Sequence, residues 1–249
     1  MAEKIFIKEH LGKELFILGD GFVKVFGETY SKSGILNEAL NQARVEETDL
    51  NIPKIRSIEV VDGKWSIIMD YIEGTTLSEL MRKNPEKEDE YIALFVDLQR
   101  EVLSKRVPLL NKLKDKMQER ISQAKLDATT RYDLHTRLDS LPRHYNLCHG
   151  DFHPSNIIMT ADGTPYIIDW AHATQGNASA DVARTYLMFY LEGRAELAEK
   201  YLKLYCLKSD TAKQYVQKWI PIVAASRLTK ARAEEDTFLR NWIDVVDYQ

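Results

Sequence analysis

Residues 149–170 read HGDFHPSNIIMTADGTPYIIDW. Within this stretch the apolar runs IIM and YII predict two short strands, and ADG between them predicts the turn of a β-hairpin. Because a hairpin returns the chain to where it began, we expect Asp169 to lie beside Asn156, which follows Asp151 by five residues. The stretch therefore brings two carboxylates and one amide towards one place.

Two carboxylates and an amide in this order suit phosphoryl transfer to an alcohol. One carboxylate accepts the proton of the attacking hydroxyl, and the rest of catalysis is positioning and charge stabilisation. Mg²⁺ ions that bridge phosphates prefer hard oxygen ligands such as carboxylate and carbonyl oxygens. A turn and a strand end without chemistry would be the alternative for either half of the motif alone, and the joint order and spacing argue against it.

The segment HGDFHPSN resembles the catalytic loop H-R-D-x-x-x-x-N of protein kinases, with Gly150 in place of the arginine. Together with the IDW that follows, it is more similar to the aminoglycoside phosphotransferase and choline kinase-like family. The resemblance implies an α+β, protein-kinase-like fold of two lobes, with a small antiparallel-sheet N-lobe and a larger helical C-lobe. It also implies Asp151 as the catalytic base, Asn156 and Asp169 as Mg²⁺ ligands, and ATP or GTP as the phosphoryl donor.

Three more residues near the motif take roles from the same resemblance. His149 would brace the catalytic loop, and Asp181 in the later D-V-A matches the family's D-x-A and would anchor that loop. His153 is a candidate contact for substrate or phosphates, with a packed loop histidine as an equal alternative. Cys148 precedes the motif in an apolar position, and we interpret it as a small core residue.

The N-terminal part of the sequence predicts a β-sheet. Short apolar runs that predict strands lie at residues 5–7, 15–18, 22–26, 55–61 and 65–69. Gly19-Asp20-Gly21 and Asp62-Gly63 are turn signals between consecutive strands. Apolar residues at helical spacing over 35–43 predict a helix, which Asn51-Ile52-Pro53 is expected to stop. The predicted order is three strands, a helix and two strands.

Lys24 lies inside the apolar strand FVKVF. A lysine there is costly unless its ammonium finds a partner. Kinases place a lysine in the third strand to hold the α- and β-phosphates and pair it with a glutamate of the following helix. Glu38 is the predicted partner, with Glu46 and Glu47 as rivals on the same helix, and an exposed strand lysine is the alternative for Lys24.

The stretch MDYIEG that ends at Gly74 resembles the family's hinge between the lobes. There the backbone groups of Asp70, Tyr71 and Ile72 would bind the edge of the adenine ring. The predicted domains are an N-lobe over residues 1–70, a hinge over 71–74, and a helical C-lobe with the catalytic loop and acceptor pocket over 75–249.

The sequence departs from kinases in the loop that covers the phosphates. Residues 8–14, KEHLGKE, lie between the first two predicted strands and contain one glycine where kinases carry several. The family commonly has an abbreviated loop at this place. Lys8 and Lys13 are candidates to compensate for it, and an exposed loop lysine is the simpler interpretation of each.

From Asp181 onwards the pattern is helical, and the resemblance places the acceptor pocket in this region. Glu234, Glu235 and Asp236 form an acidic trio that could receive a polyamine-like acceptor. A solvated helix face is the favoured alternative for these three side chains.

Composition excludes several classes of protein. A net charge of −4 and the lack of a Lys/Arg-rich run argue against nucleic acid as a partner. Two cysteines without a CxxC spacing argue against a zinc site and a disulfide scaffold. The N-terminus lacks the apolar region of a signal peptide, and no apolar run approaches the ~18 residues of a membrane helix. We therefore expect a soluble cytoplasmic protein without a membrane partner, and the sequence gives no signal of oligomeric state.

Together these patterns predict an ATP-dependent phosphotransferase whose acceptor is a hydroxyl of a small molecule. That molecule would be an aminoglycoside-like antibiotic or an amino-alcohol or sugar metabolite, and sequence does not separate these. A protein Ser/Thr kinase is one alternative, against which the sequence lacks a glycine-rich loop and an APE-like segment after Asp169. A catalytically inactive nucleotide-binding module is another, and the presence of all three catalytic residues argues against it.

Overall fold

The computed structural model describes residues 4–10, 12–229 and 231–243. The strands, in chain order, are β1 (Lys4–His10), β2 (Lys13–Leu18), β3 (Gly21–Phe26), β4 (Ile55–Val61), β5 (Lys64–Asp70), β6 (Thr75–Thr76), β7 (Asn146–Cys148), β8 (Ile157–Met159), β9 (Pro165–Ile167) and β10 (Thr174–Gly176). The helices are α1 (Lys32–Val45), α2 (Leu77–Lys83), α3 (Glu88–Ser104), α4 (Leu113–Gln123), α5 (Ala128–Ser140), α6 (Ala178–Leu191), α7 (Ala195–Ser209), α8 (Lys213–Gln217), α9 (Ile220–Leu228) and α10 (Ala233–Ile243). Short 3₁₀ turns occupy Pro85–Lys87, Pro154–Asn156 and Trp170–His172. This order confirms the predicted α+β class, with an N-terminal antiparallel sheet followed by a mostly helical part.

The N-terminal sheet has the order β1-β2-β3-β5-β4 and is antiparallel throughout. Asp62 and Gly63 both adopt positive φ, 51° and 77°, as the tight turn between β4 and β5 requires. In the strand order β1-β2-β3-β5-β4, β3 is the middle strand, and Lys24 pairs with Leu15 of β2 on one side and with Ile67 of β5 on the other. This register places the lysine among apolar neighbours at the centre of the sheet.

Helix α1 covers one face of this sheet. Its N-terminus is capped by Ser31, whose Oγ accepts a hydrogen bond from Gly34 N at 3.1 Å. Ile35 and Ala39 are buried against a cluster that includes Phe26 and Ile67. Full burial of each large apolar side chain contributes about 1.5–3 kcal/mol, so packing fixes the helix on the sheet.

Helix α1 ends at Val45, earlier than the predicted stop at Asn51-Ile52-Pro53. The last turn of the helix binds the loop that follows. Gln42 Nε2 donates to Pro53 O at 2.6 Å, and Ile55 N donates to the carboxylate of Glu46 at 2.8 Å. These side-chain bonds hold the segment before β4 in place without further helix.

The chain forms two compact units. The first unit comprises the described residues within Met1–Lys87 and Pro154–Ala173, and the second comprises those within Glu88–His153 and Thr174–Gln249. The first unit extends beyond the predicted bounds at 70 and 75 to Lys87, and it also includes the β8–β9 hairpin. Thr75 pairs with Met159 across β6 and β8, and Ile167 N donates to Asn51 O at 2.9 Å.

The second unit is largely helical and has an aromatic core. Phe95 of α3 lies 4.8 Å from Phe152 and 5.7 Å from Tyr201, measured between ring centroids. The three-residue strands β7 and β10 pair in this unit, and Cys148 of β7 is fully buried. Burial of Phe152 in this core ties the catalytic loop to the helices. Within the described residues, none of the helices combines the length and apolar character needed to cross a membrane.

Candidate active site

The candidate catalytic loop, residues 149–156, begins directly after β7. Gly150 has φ 77°, a left-handed conformation that a residue with a Cβ adopts only at a cost, which explains a glycine where kinases carry arginine. Gly150 N donates to Asp181 Oδ1 at 2.7 Å, and Asp151 N donates to Nδ1 of the buried His149 at 3.2 Å. His149 and Asp181 therefore both bind the backbone of the loop they were predicted to support.

Asp181 is buried at the first turn of α6. Burial raises the pKa of its carboxyl above the ordinary value, against the lowering effects of His149 and the Gly150 N–H. A carboxylate near the N-terminus of a helix is favoured by the helix dipole. The first turn of α6 therefore holds the Asp181 carboxyl where it accepts a hydrogen bond from the backbone of Gly150.

Two residues of α6 that the sequence analysis missed also hold the loop. Arg184 Nη2 lies 3.2 Å from Asp151 Oδ1, and Thr185 Oγ1 donates to Phe152 O at 2.9 Å. Gln99 Nε2 in turn donates to Thr185 Oγ1 at 3.2 Å. The signal was present in the sequence, since residues three and four positions after Asp181 share its helix face.

His153 follows Asp151, the candidate base, by two residues. Its Nε2 is 2.6 Å from Oε1 of Glu192, at the end of α6. Glu192 also lines a cavity of about 410 Å³ in the second unit, together with Arg227, Glu234 and Phe238 among others. His153 is thus connected through Glu192 to a cavity large enough for part of a small molecule.

The acidic trio of α10 is mostly neutralised by arginines. Arg227 and Arg232 both pair with Glu235 at 3.1 Å, and Arg240 Nε lies 2.6 Å from Asp236. Glu234 is exposed and lines the cavity. Of the two predicted substrate carboxylates, Glu234 faces the cavity and Asp236 is engaged by Arg240.

In the first unit, Lys24 joins two carboxylates. Its Nζ lies 2.7 Å from Glu38 Oε1 and 3.3 Å from Asp169 Oδ1. Burial lowers the pKa of Lys24, and the charges of Asp169 and Glu38 outweigh burial and raise it above its ordinary value. Of the rival glutamates, Glu46 accepts from Ile55 N instead, so Glu38 is the partner that was predicted.

The segment predicted as a phosphate-covering loop is mostly strand. Residues 8–10 belong to β1 and residues 13–14 to β2, the two strands pair up to His10 and Lys13, and Leu11 lies outside the described residues. Lys13 is not the exposed loop lysine that the simpler interpretation gave. Its Nζ lies 2.8 Å from Glu38 Oε2 and its side chain is 16% exposed, whereas Lys8 is exposed.

Asp169 and Asn156 are neighbours through the β8–β9 hairpin. Ile168 N donates to Asn156 O at 2.9 Å, which places the two candidate metal ligands side by side in the first unit. Asp169 adopts the left-handed conformation with φ 65°, which Asp and Asn tolerate better than most residues. Asn41 of α1 fixes the following turn by donating to Ala171 O at 3.2 Å.

The donor set fits Mg²⁺. Asp169 and Asn156 offer hard oxygen atoms, and Mg²⁺ in phosphoryl-transfer sites takes only one or two carboxylates because substrate phosphates and water complete its shell. Among the described residues no group of three or more His, Cys, Asp or Glu side chains is placed to hold a metal ion by itself.

The predicted hinge uses part of its backbone internally. Asp70 N donates to Lys54 O at 2.9 Å and Tyr71 N donates to Asp20 O at 3.2 Å. The Asp70 carboxylate accepts from Arg56 Nε at 2.8 Å. These bonds use the backbone N–H groups of Asp70 and Tyr71 within the first unit.

A family model described as the phosphotransferase enzyme family matches residues 19–216. The chain is similar to a thermostable mutant of aminoglycoside phosphotransferase APH(4)-Ia in its apo form, with a TM-score of 0.71 and 15% identity over 98% of this chain and 93% of that one. It is also similar to an aminoglycoside-3'-phosphotransferase of type VIII, with a TM-score of 0.64 and 16% identity over 89% of this chain and 93% of that one. A choline/ethanolamine kinase family protein from Mesorhizobium loti gives a TM-score of 0.59 and 16% identity over 98% of this chain and 84% of that one.

Another structure of the APH(4)-Ia mutant is a ternary complex with AMP-PNP and hygromycin B, with a TM-score of 0.71 and 14% identity over 97% of this chain and 92% of that one. None of the curated protein sequences matches this chain significantly. At these identities the solved structures show a common fold.

Proposed function

Since this chain belongs to the phosphotransferase enzyme family, we propose that it transfers the γ-phosphoryl group of ATP to a hydroxyl of a small molecule. The observation that carries the proposal is the network in which Lys24 binds both Glu38 and Asp169. A buried, charged lysine beside a carboxylate suited to Mg²⁺ is the arrangement that triphosphate binding requires. ATP is the proposed donor because the APH(4)-Ia mutant is described in complex with its analogue AMP-PNP.

Lys24 is the proposed ligand of the α- and β-phosphates. Glu38 keeps its ammonium in place, so the lysine does not need to be reoriented when the nucleotide binds. Asn156 and Asp169 would hold Mg²⁺, which when bound offsets the negative charge of the phosphate oxygens. Asp169 also attracts Lys24, so one carboxylate aligns both cationic partners of the triphosphate.

Asp151 is the proposed general base. As the acceptor oxygen bonds to phosphorus and the bond to ADP breaks, the hydroxyl proton passes to the Asp151 carboxylate. Base catalysis requires that this carboxylate point in a fixed direction. The Asp151 N–H bond to His149 and the contact of its Oδ1 with Arg184 supply that direction.

A small molecule is the proposed acceptor. A protein kinase needs an extended segment after its metal-binding aspartate to hold a peptide. Here the chain continues from Asp169 into the 3₁₀ turn Trp170–His172, the paired strand β10 and then helix α6. This short path supports a small acceptor over a peptide, and the 410 Å³ cavity beside Glu192 has the size for part of an aminoglycoside, amino alcohol or sugar.

The proposal is tested by measuring ADP release from ATP with purified protein and panels of aminoglycosides, amino alcohols and sugars. We expect turnover with at least one small alcohol, dependence on Mg²⁺, and a phosphorylated product by mass spectrometry. Asp151→Asn run in parallel controls for a contaminating kinase. Stoichiometric phosphorylation of a folded protein, with no small alcohol turned over, would contradict the proposed acceptor.

A further inference from the structure

Glu38 binds two lysines. Lys24 Nζ lies 2.7 Å from Oε1 and Lys13 Nζ lies 2.8 Å from Oε2, so each carboxylate oxygen carries one ammonium. The proposed role of Lys24 needs a single lysine–glutamate pair. The second lysine therefore requires an explanation of its own.

The strand register places the two lysines on the same face of the sheet. Leu15 pairs with Lys24 across β2 and β3, and Lys13 lies two residues before Leu15. Alternate residues of a strand project to the same side. Lys13 and Lys24 are thus neighbours on the face covered by α1, and their convergence on Glu38 follows from the pairing.

Lys13 is held in a semi-enclosed, aromatic environment. Its ammonium lies 4.9 Å from the ring centroid of Phe26 and 5.2 Å from that of Tyr30. The Lys13 side chain is 16% exposed, whereas Lys64, which pairs with Glu14 on the same sheet, is 43% exposed. Ion pairs at open surfaces contribute little, so an ammonium kept this enclosed is more than a surface pair.

Charge balance around Glu38 points to an anion. Lys13 and Lys24 together offset Glu38 and Asp169. Once a divalent cation takes Asp169, the two lysines face one carboxylate, and one positive charge has no counterion within the network. A triphosphate is an anion that supplies the missing charge.

The location of Lys13 matches the missing phosphate loop. It follows directly the turn between β1 and β2, where Gly12 has φ 70° and its carbonyl accepts from Gly27 N at 2.9 Å. In kinases a longer glycine-rich loop between these strands covers the phosphates. Strand β2 begins at Lys13, so a lysine at the start of this strand offers a charged donor where kinases use the longer loop.

We propose that Lys13 is a second phosphate-binding lysine, which contacts the triphosphate of the nucleotide while it holds Glu38. This inference rests on the proposed ATP-binding function and adds a contact residue to it.

The test compares Lys13→Met, Lys13→Arg and the control Lys64→Met, which removes an exposed lysine of the same sheet. Titration calorimetry measures the binding of ATP, with and without Mg²⁺, and of adenosine, which lacks phosphates. We expect Lys13→Met to weaken ATP binding on the order of tenfold or more and to leave adenosine binding unchanged, because a charged hydrogen bond is lost. Lys13→Arg should restore most of the ATP affinity, and Lys64→Met should bind as the wild type does.

Equal losses for ATP and adenosine would show that Lys13 only supports the fold of the sheet, and an ATP affinity within about twofold of wild type would show that it contacts no phosphate. Either result overturns the inference and leaves the proposed function intact. If Lys13→Met does not fold, as judged by thermal melting, Lys13→Gln takes its place with the same expectations. Wild-type protein that binds neither ATP nor adenosine would overturn the proposed function together with this inference.

Discussion

The network around Lys24 in the first unit and residues 149–153 of the candidate catalytic loop in the second unit are held by different forces. Lys24 and Glu38 come from the consecutive elements β3 and α1, Asp169 lies 145 residues after Lys24, and the three interact through charge. The catalytic loop is held by one helix, whose residues Asp181 and Thr185 bind backbone groups of the loop. Ion pairs hold the network around Lys24, and hydrogen bonds to the backbone hold the loop.

Ion pairs and hydrogen bonds to the backbone respond differently to a charged ligand. Ion pairs exchange partners when a charged ligand arrives, because the ligand offers charges of the same kind. Bonds to backbone groups do not exchange with a ligand, and they fix the direction of a side chain such as Asp151. We infer that the charged network serves binding of the nucleotide and the hydrogen-bonded loop serves the chemical step, and the two regions should respond differently to mutation.

The largest effect is expected from Asp151→Asn in the catalytic loop. The substitution keeps the shape of the side chain and removes the base, so turnover should fall by ~10²–10⁴ while ATP binding persists. Steady-state kinetics and calorimetry on the same preparation measure both quantities. Turnover equal to that of wild type would remove Asp151 from the mechanism.

Asp169→Asn in the charged network should reduce both binding and turnover, by roughly 10- to 100-fold in the Mg²⁺-dependent part. Asparagine is the informative substitution because it tolerates the left-handed backbone at φ 65°, whereas alanine would add strain. ATP affinity titrated against Mg²⁺ is the measurement. If EDTA leaves the wild-type reaction untouched, the metal assignment is wrong.

Lys24 and Glu38 should act as one unit. Lys24→Met and Glu38→Gln should each weaken ATP binding, and the double variant should be little worse than either, with a coupling of about 1–3 kcal/mol. A double-mutant cycle in ATP affinity measures this coupling. Additive losses would mean that each side chain acts on the nucleotide separately.

Arg184→Met should lower kcat about tenfold and leave the KM for ATP unchanged, since Arg184 positions Asp151 and belongs to the loop region. Arg184→Lys should recover part of kcat. Arg100→Met is the matched control, because Arg100 forms an exposed pair with Asp97 in the same unit. A raised KM for ATP with an unchanged kcat would place Arg184 in nucleotide binding instead.

The smallest effect concerns the acceptor. Glu234→Gln should raise the KM of a cationic acceptor by less than about fivefold, and Asp236→Asn should raise it less, because Arg240 already neutralises Asp236. KM values for acceptors of different charge, with kcat as reference, measure the effect. If the two substitutions raise the KM of the acceptor equally, the position of Glu234 at the cavity does not determine acceptor binding.

The sequence predicted strands that have a run of apolar residues and a loop that has a recognisable motif. Apolar runs and turn residues located all five strands of the N-terminal sheet, and the HGD motif located the loop that His149 and Asp181 support. Of the strands of two or three residues, β6, β7 and β10 were not predicted, because so short a segment carries no detectable alternation, whereas β8 and β9 were predicted with the help of the turn signal between them.

Contacts that depend on register or helix phase were predicted less well. Lys13 was interpreted as a loop residue because its meeting with Glu38 depends on how β2 pairs with β3. Arg184 was overlooked although it follows Asp181 on one helix face. The roles proposed for Asp151, Asn156 and Asp169 remain predictions that the experiments above test.

The first unit is interrupted in sequence, since the chain leaves it at Lys87 and returns at Pro154. A ribosome therefore releases the N-terminal sheet well before the hairpin that supplies Asp169 and pairs Met159 with Thr75. During that interval the nascent chain holds Lys24 and Glu38 without their third partner, while residues of the other unit are being made. We expect the nascent chain to bind nucleotide only after residue 173 has emerged from the ribosome, because the first unit is complete only then.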